Sequence, residues 1–309
     1  MLTYGALLAG LICAGLGGEL FVRGTVGLSI AARIPPGIVA ATVAAFATSS
    51  PELTVAIASA LDGTPEISLG DALGSNVVNV ALILALAILI APLRVDRSVL
   101  KRDFPAALTV SVLIGALLYD GTISRLDAAF LLLAFFAWLV AVLFEVRKAR
   151  SAAPQVLGET KPGRAVVESA VGLGLLILAG RLIVYGATGI AATFGLSEFI
   201  IGATIVAIGT SVPELATAII SRLRGHDEVG LGTILGSNIF NGLFVVGVAA
   251  GIAPITVSPT SAAIPLGLGI VSLALVFPPR SDVLDRWRGG LLVAVYVAYV
   301  LATLQAPAH

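Results

Sequence analysis

Residues 42–79 lie on residues 204–241 at an offset of 162 without a gap, and 20 of the 38 aligned positions are identical. Upstream, Gly18, Leu20 and Gly24 meet Gly180, Leu182 and Gly186 at the same offset. A chain made of two copies of one unit must give both copies equivalent surroundings, so the medium around the first repeat decides the architecture of the whole. That medium is apolar. Of the 309 residues 58% are hydrophobic and only 12% charged, with a mean hydropathy of +1.06, whereas a water-soluble domain carries about 25% charged residues. The composition predicts an all-α polytopic membrane protein.

Apolar runs of about 20 residues, the length that crosses a bilayer, fall at 3–30, 37–61, 69–91, 104–119, 125–146, 165–192, 198–222, 229–253, 259–278 and 288–306. They predict ten transmembrane helices. Met1 leads into apolar sequence without a basic n-region, so residues 3–30 read as the first helix rather than a removable signal. The polar segment "RKARSAAPQVLGETKPGR", residues 147–164, reads as a cytoplasmic linker between a first five-helix repeat, 1–146, and a second, 165–309. Fifteen Lys and Arg residues fall on alternate loops and one, Arg125, on the others. Because basic loops stay cytoplasmic, this places both termini outside, in a multi-pass protein of the cell membrane. Five helices is an odd number, so the second copy enters the membrane inverted. That is the plan of secondary transporters, whose ion sites sit near the midplane on discontinuous helices.

The repeated segments carry groups that an apolar helix does not need. "FATSSPELT", residues 46–54, is echoed by "IGTSVPELA", residues 208–216. An ionisable side chain at the bilayer centre costs at least about 2.5–3.5 kcal/mol, so Glu52 and Glu214 call for cationic partners or protonation. The basic residues placed inside helices, Arg23 and Arg181, are remote in sequence and not equivalent in the repeat, which leaves a bound cation as the better partner. Pro51 and Pro213 lack the N–H that the carbonyls of Ala47 and Gly209 would receive in a continuous helix. The opened backbone of Ala47, Thr48, Gly209 and Thr210 is tolerable in a membrane only where it faces protein or a polar cavity.

The repeats end in "LGDALGSNVVN", residues 69–79, and "LGTILGSNIFN", residues 231–241. Ser75 and Asn79 stand four apart on one helical face, as do Ser237 and Asn241; Asn76 and Asn238, off that face, are expected to bond backbone carbonyls across helix packing. The interval from Glu to the last Asn is 27 residues in both copies. Together the groups form a set of hard oxygen donors without His or thiol, suited to Na⁺ and Ca²⁺ rather than Zn²⁺ or Cu⁺. His226 falls in a loop, His309 is terminal, and the single Cys13 sits in an apolar run. The net charge of zero argues against a nucleic-acid partner.

With these motifs the chain resembles the cation/calcium antiporter superfamily, and within it the sodium/calcium exchangers. The resemblance implies a ten-helix inverted-repeat fold, no cofactor and no enzymatic activity, with Na⁺ and Ca²⁺ as transported substrates in a lipid bilayer; a monomer is expected. By motif position it makes Glu52 and Glu214 the acidic ligands shared by both ions, with the carbonyls of Thr48 and Thr210 completing the calcium site. Ser49, Ser211, Ser75, Ser237, Asn79, Asn241 and the carbonyls of Ala45 and Ala207 supply the sodium sites. The Gly-rich first and sixth helices, 3–30 and 165–192, are implied to slide across the rest. Ala47 stands where the family more often has Gly, so its helix is expected to open less easily. Asn241 stands where many relatives carry Asp, which implies potassium-independent exchange.

Calcium/proton exchange by the same fold is the nearest alternative. An intramembrane hydrolase would need a base beside Ser49 or Ser211 that the motif lacks, and a channel would show linear, non-saturating flux. Glu19 and Arg23 are expected to form an i,i+4 ion pair, Glu168 to be solvated near the interface, and Asp71 to be a helix-start acid.

Overall fold

The computed structural model describes residues 2–95, 97–152, 162–193, 207–257, 259–277 and 282–305. Half of the expected linker, 153–161, and the first part of the expected span 198–222 lie outside them. The helices are α1 Leu2–Ala32, α2 Pro36–Thr48, α3 Ser50–Leu61, α4 Pro65–Ile90, α5 Arg97–Leu117, α6 Arg125–Ala152, α7 Pro162–Thr193, α8 Ala207–Thr210, α9 Val212–Leu223, α10 Asp227–Ile252, α11 Pro259–Val276 and α12 Arg286–Gln305. Among the described residues six helices are long and apolar enough to cross a membrane, or seven if α2 and α3 count as one broken span.

Three boundaries differ from the sequence reading by four residues or more, one of them the start of the helix expected from 104, which begins at Arg97. The helix expected from 69 starts at Pro65, because proline at the start of a helix has no N–H to waste and Glu66 complements the positive end of the dipole. Asp71 is therefore a second-turn residue, not a helix-start acid. Helix α6 runs on to Ala152, into the expected linker.

The chain forms two compact units, each drawing on both repeats: residues 1–48 with 138–234, and residues 49–137 with 235–309. In the first, α1 and α7 pack along their length at glycine distance. A Cβ on Gly17 would stand 2.9 Å from the Gly172 carbonyl oxygen, and one on Gly172 would stand 2.5 Å from the Phe21 amide nitrogen. Gly24 and Gly27 likewise meet Ala165 of α7. These glycines let the two long helices pack on each other at backbone distance. Gly18 and Gly180, equivalent in the repeat, face other helices: Gly18 meets Ala216 and Ile220 of α9, and Gly180 meets Gly209 of α8. Phe21, Ala44, Leu176 and Ala216 form the core between them.

Glu19 pairs with Arg23 at 2.6 Å, as its i,i+4 position predicts, and also with Arg224 at 2.7 Å. Glu168 pairs with Arg164 at 2.8 Å and its side chain is only 18% exposed, so it is largely sheltered rather than solvated. These charges and His226 line a cavity of about 590 Å³.

In the second unit two short antiparallel ribbons relate the copies. β1 (Leu93–Arg94) pairs with β4 (Val283–Leu284), and β2 (Thr122–Ile123) with β3 (Ile255–Thr256). Each ribbon joins the residues after α4 or α10 of one copy to the residues before α12 or α6 of the other. Shifting β1 by the repeat offset gives β3, and shifting β2 reaches β4, so the two ribbons pair equivalent segments of the two copies.

Candidate ion-binding residues

Both proline motifs fold alike. Ser49 has φ −87° and ψ 12°, and Ser211 has φ −86° and ψ 9°. Each serine interrupts the helix, which resumes with Leu53 N–H donating to the Ser49 carbonyl at 3.1 Å and Leu215 N–H to the Ser211 carbonyl at 3.0 Å. Pro51 and Pro213 thus sit in the first turn of α3 and α9, where a missing N–H costs nothing. The break has the same geometry after Ala47 as after Gly209, since the angles at Ser49 match those at Ser211. A helix-preceding serine ordinarily caps the first turn with its hydroxyl, yet neither does so here.

In the first unit, Thr48, Ser211 and Glu214 are buried and Thr210 is half-buried. Thr48 Oγ1 donates to the Ala45 carbonyl at 3.3 Å. Ala207 opens α8. Ser211 Oγ is buried with no hydrogen-bond partner. Ser221 faces Gly230, the equivalents of Ser59 and Ser68, closely enough that a Cβ on Gly230 would stand 2.5 Å from Ser221 Oγ.

In the second unit, Ser49, Glu52, Ser75, Asn79, Ser237 and Asn241 are all buried, Glu52 to 1% exposure. Helix α3 packs on α4 and on the 246–252 end of α10. Ser59 and Ser68 share a 2.7 Å hydroxyl contact, and Ser68 Oγ donates to the Ala56 carbonyl at 3.0 Å. Seven residues along each helix from that pair are Glu52 and Ser75. Seven residues is close to two full turns, so the hairpin register sets these two level on the same faces.

Asn79 and Asn241 are brought together through Asn76 and Asn238. Asn76 Nδ2 donates to the Asn238 carbonyl and Asn238 Nδ2 to the Asn76 carbonyl, both at 3.2 Å, as the sequence reading expects. The structure adds that Asn79 Nδ2 donates to Asn238 Oδ1 at 3.0 Å and Asn241 Nδ2 to Asn76 Oδ1 at 3.4 Å. The Oδ1 atoms of Asn79 and Asn241 and the hydroxyl of Ser75 are buried with no hydrogen-bond partner. Buried polar atoms are rarely left so, and amide and hydroxyl oxygens have the donor chemistry that hard cations take.

The helices that carry these asparagines are locally π-helical, over Val78–Leu84 in α4 and Phe240–Val245 in α10. π-turns widen the backbone ladder by one residue and recur at functional sites. The feature starts at equivalent residues in both copies and has no composition signal by which the sequence could reveal it. Among the described residues no group of three or more His, Cys, Asp or Glu is placed to hold a metal; the oxygens gathered here are mostly neutral hydroxyls and amides.

A family model described as "Sodium/calcium exchanger protein" matches residues 2–144 and 165–305. The chain belongs to the sodium/calcium exchanger family. The antiporter-named protein CaxA of Alkalimonas amylolytica is 34% identical over 308 residues, covering 95% of this chain and 96% of that one. Sodium/calcium exchanger MaX1 of Methanosarcina acetivorans is 26% identical over 337 residues, with 96% of each covered. A solved structure of the sodium-calcium exchanger NCX_Mj, soaked with Na⁺ and Sr²⁺, superposes with a TM-score of 0.85 at 27% identity, covering 98% of this chain and 99% of that one. The family member at hand is a multi-pass membrane antiporter of cations, not an enzyme.

Proposed function

We propose that this exchanger moves Na⁺ against Ca²⁺ by alternating access across the cell membrane, through ten transmembrane helices arranged as two inverted five-helix repeats with both termini outside. Glu52 and Glu214 are the acidic ligands that either load must neutralise. The Thr48 and Thr210 carbonyls complete the Ca²⁺ site. Ser49, Ser211, Ser75, Ser237, Asn79, Asn241 and the carbonyls of Ala45 and Ala207 serve Na⁺. An empty site leaves carboxylates unneutralised in the apolar interior, which disfavours the occluded passage and enforces exchange over leak.

The observation that supports sodium over protons is the set of neutral oxygens without a protein partner, on Ser75, Asn79, Ser211 and Asn241. Hydroxyls and amides do not titrate in this range. They contribute nothing to two carboxylates trading protons, and they are the donors a dehydrated Na⁺ needs. With Asn at 241 the site carries two formal negative charges, balanced by one Ca²⁺, and three Na⁺ leave it at +1. Exchange of three for one then moves one charge per cycle, worth about 2.3 kcal/mol per 100 mV, without K⁺.

The test is ⁴⁵Ca²⁺ uptake into proteoliposomes loaded with Na⁺, compared with K⁺-loaded, choline-loaded and acid-loaded vesicles. Uptake from the Na⁺-loaded vesicles alone, accelerated by an inside-positive potential that drives Na⁺ out, is the expected result. Uptake driven by the acid load would replace sodium with protons and leave the two Glu in place.

A further inference from the structure

We infer that Asn76 and Asn238 are positioning residues that aim the side-chain oxygens of Asn241 and Asn79 at the transported cation, by taking up the amide N–H groups that would otherwise face it. The inference rests on the cation-exchange reading and adds what sets the polarity of its neutral ligands. A carboxamide has two nearly isosteric ends, an acceptor oxygen and a donor NH₂, and its terminal torsion is broad and roughly two-fold. An asparagine is a cation ligand in one rotamer and repels a cation in the other. Something must choose.

Here the choice is made by a closed set of four hydrogen bonds across α4 and α10. Asn238 Oδ1 accepts from Asn79 Nδ2 at 3.0 Å, and Asn76 Oδ1 accepts from Asn241 Nδ2 at 3.4 Å. An acceptor can orient its neighbour only if it is oriented itself. Asn238 is, because its Nδ2 is held by the Asn76 carbonyl; Asn76 is, because its Nδ2 is held by the Asn238 carbonyl, both at 3.2 Å. Backbone fixes the inner pair, and the inner pair fixes the outer. The outcome is visible at the far end of the outer amides, where Oδ1 of Asn79 and of Asn241 are buried without a hydrogen bond. Burial excludes water as an alternative partner for turning: exposure is 8% and 4% for Asn76 and Asn238, and 1% and 0% for Asn79 and Asn241.

Both inner oxygens need a donor opposite them, and an amide supplies one while presenting oxygen to the ion.

The experiment uses the full-length protein with Na⁺ as probe, because Asn79 and Asn241 serve the Na⁺ sites. Binding is read by the Na⁺-dependent rise in melting temperature in detergent, with choline as the balancing cation, and transport by ⁴⁵Ca²⁺ uptake into proteoliposomes at graded internal Na⁺. Outer-shell partners of metal ligands typically contribute 10–100-fold in affinity, so Asn238→Leu and Asn76→Leu are each expected to raise the half-saturating Na⁺ by about tenfold while the maximal rate stays within about twofold. A merely structural role is separated by a cycle with the ligand itself. In an Asn79→Ala chain, Asn238→Leu is expected to add less than about twofold, because its effect passes through Asn79. Asn238→Ser, milder in volume, carries the same comparison if the leucine variant melts without Na⁺ below the assay temperature. Unchanged Na⁺ affinity in the 238 variants, or a full tenfold loss retained in the Asn79→Ala background, overturns the assignment while wild-type binding leaves the exchange reading standing. A wild-type chain that binds neither Ca²⁺ nor Na⁺ overturns both.

Discussion

Ser59 and Ser68 meet through their hydroxyls at 2.7 Å, and this buried pair fixes the register of the α3–α4 hairpin two turns away from Glu52 and Ser75. The two ends of the hairpin therefore have separable roles. Ser59→Ala removes this contact and the hydroxyl's bonds to the Val55 and Ala56 carbonyls, hydrogen bonds of a kind worth about 0.5–1.5 kcal/mol. It is expected to lower the melting temperature by a few degrees while Ca²⁺ uptake in Na⁺-loaded vesicles persists. Glu52→Gln is expected to leave the melting temperature of the ion-free protein unchanged or raised, since a buried charge is removed, and to abolish uptake, as is Glu214→Gln. Near-normal uptake in either Gln variant would remove these carboxylates from the ion path.

The glycines of α7 give a paired prediction. A Cβ on Gly172 would sit 2.5 Å from the Phe21 nitrogen and 2.8 Å from the Gly17 carbonyl oxygen, whereas Gly174 has nothing within 4 Å. Backbone atoms cannot step aside as a flexible side chain does, so Gly172→Ala must push α1 off α7. Overpacking of this kind costs about 1–3 kcal/mol. Gly174→Ala meets open space and gains helix propensity, about 1 kcal/mol at most. Thermal melting in one detergent is expected to show a clear fall for the first and none for the second.

How much of this was legible in the sequence follows from which physical signals are local. The duplication, the proline breaks and the carboxylates were readable because each is a violation of what an apolar helix tolerates, written in one residue type at a fixed spacing. The inward role of Asn76 and Asn238 was half readable: their helical phase predicted the bonds to backbone carbonyls, but the acceptors they offer Asn79 and Asn241 depend on how close α4 and α10 approach. Three features were not readable at all. The π-turns at Val78–Leu84 and Phe240–Val245 are one-residue slips of the ladder without a sequence signature. The neighbours of the α1 and α7 glycines were hidden because sequence gives the phase of a residue and not the identity of what it faces. Glu168 looked solvated because the expected span began at 165 and left out Arg164, whereas the helix starts at Pro162 and makes the two an i,i+4 pair.

Glu19 bridges Arg23 on its own helix and Arg224 beyond the end of α9, with both arginine side chains 54% exposed and Glu19 at 20%. Exposed ion pairs contribute about 0–1 kcal/mol each and weaken with salt. Glu19→Gln is accordingly expected to cost less than about 1 kcal/mol, with a melting-temperature difference from wild type that shrinks as NaCl is replaced by higher concentrations of choline chloride. A salt-independent loss of several degrees would mean that the Glu19 bridge is a buried structural contact rather than a screened surface one.

The prolines offer the sharpest separation of stability from transport. Both occupy the first turn of a resumed helix, after a serine whose backbone angles leave the α region open at ψ 12° and 9°. Pro51→Ala and Pro213→Ala restore an N–H at the distance from Ala47 and Gly209 that a continuous helix uses, so the break can heal into unbroken α-helix. In an ordinary first turn such a change is close to neutral for folding, because that N–H has no intrahelical partner to lose. Here it competes for the carbonyls next to Thr48 and Thr210. The expected outcome is a melting temperature equal to or above wild type, together with a fall in Ca²⁺ affinity, measured by titrating uptake rate against Ca²⁺ at fixed internal Na⁺. The double variant should lose more than either single one, because the two motifs lie in separate repeats. Unaltered Ca²⁺ affinity in the double variant would show that the opened backbone is a packing feature of these helices and that the ions rely on side-chain oxygens alone.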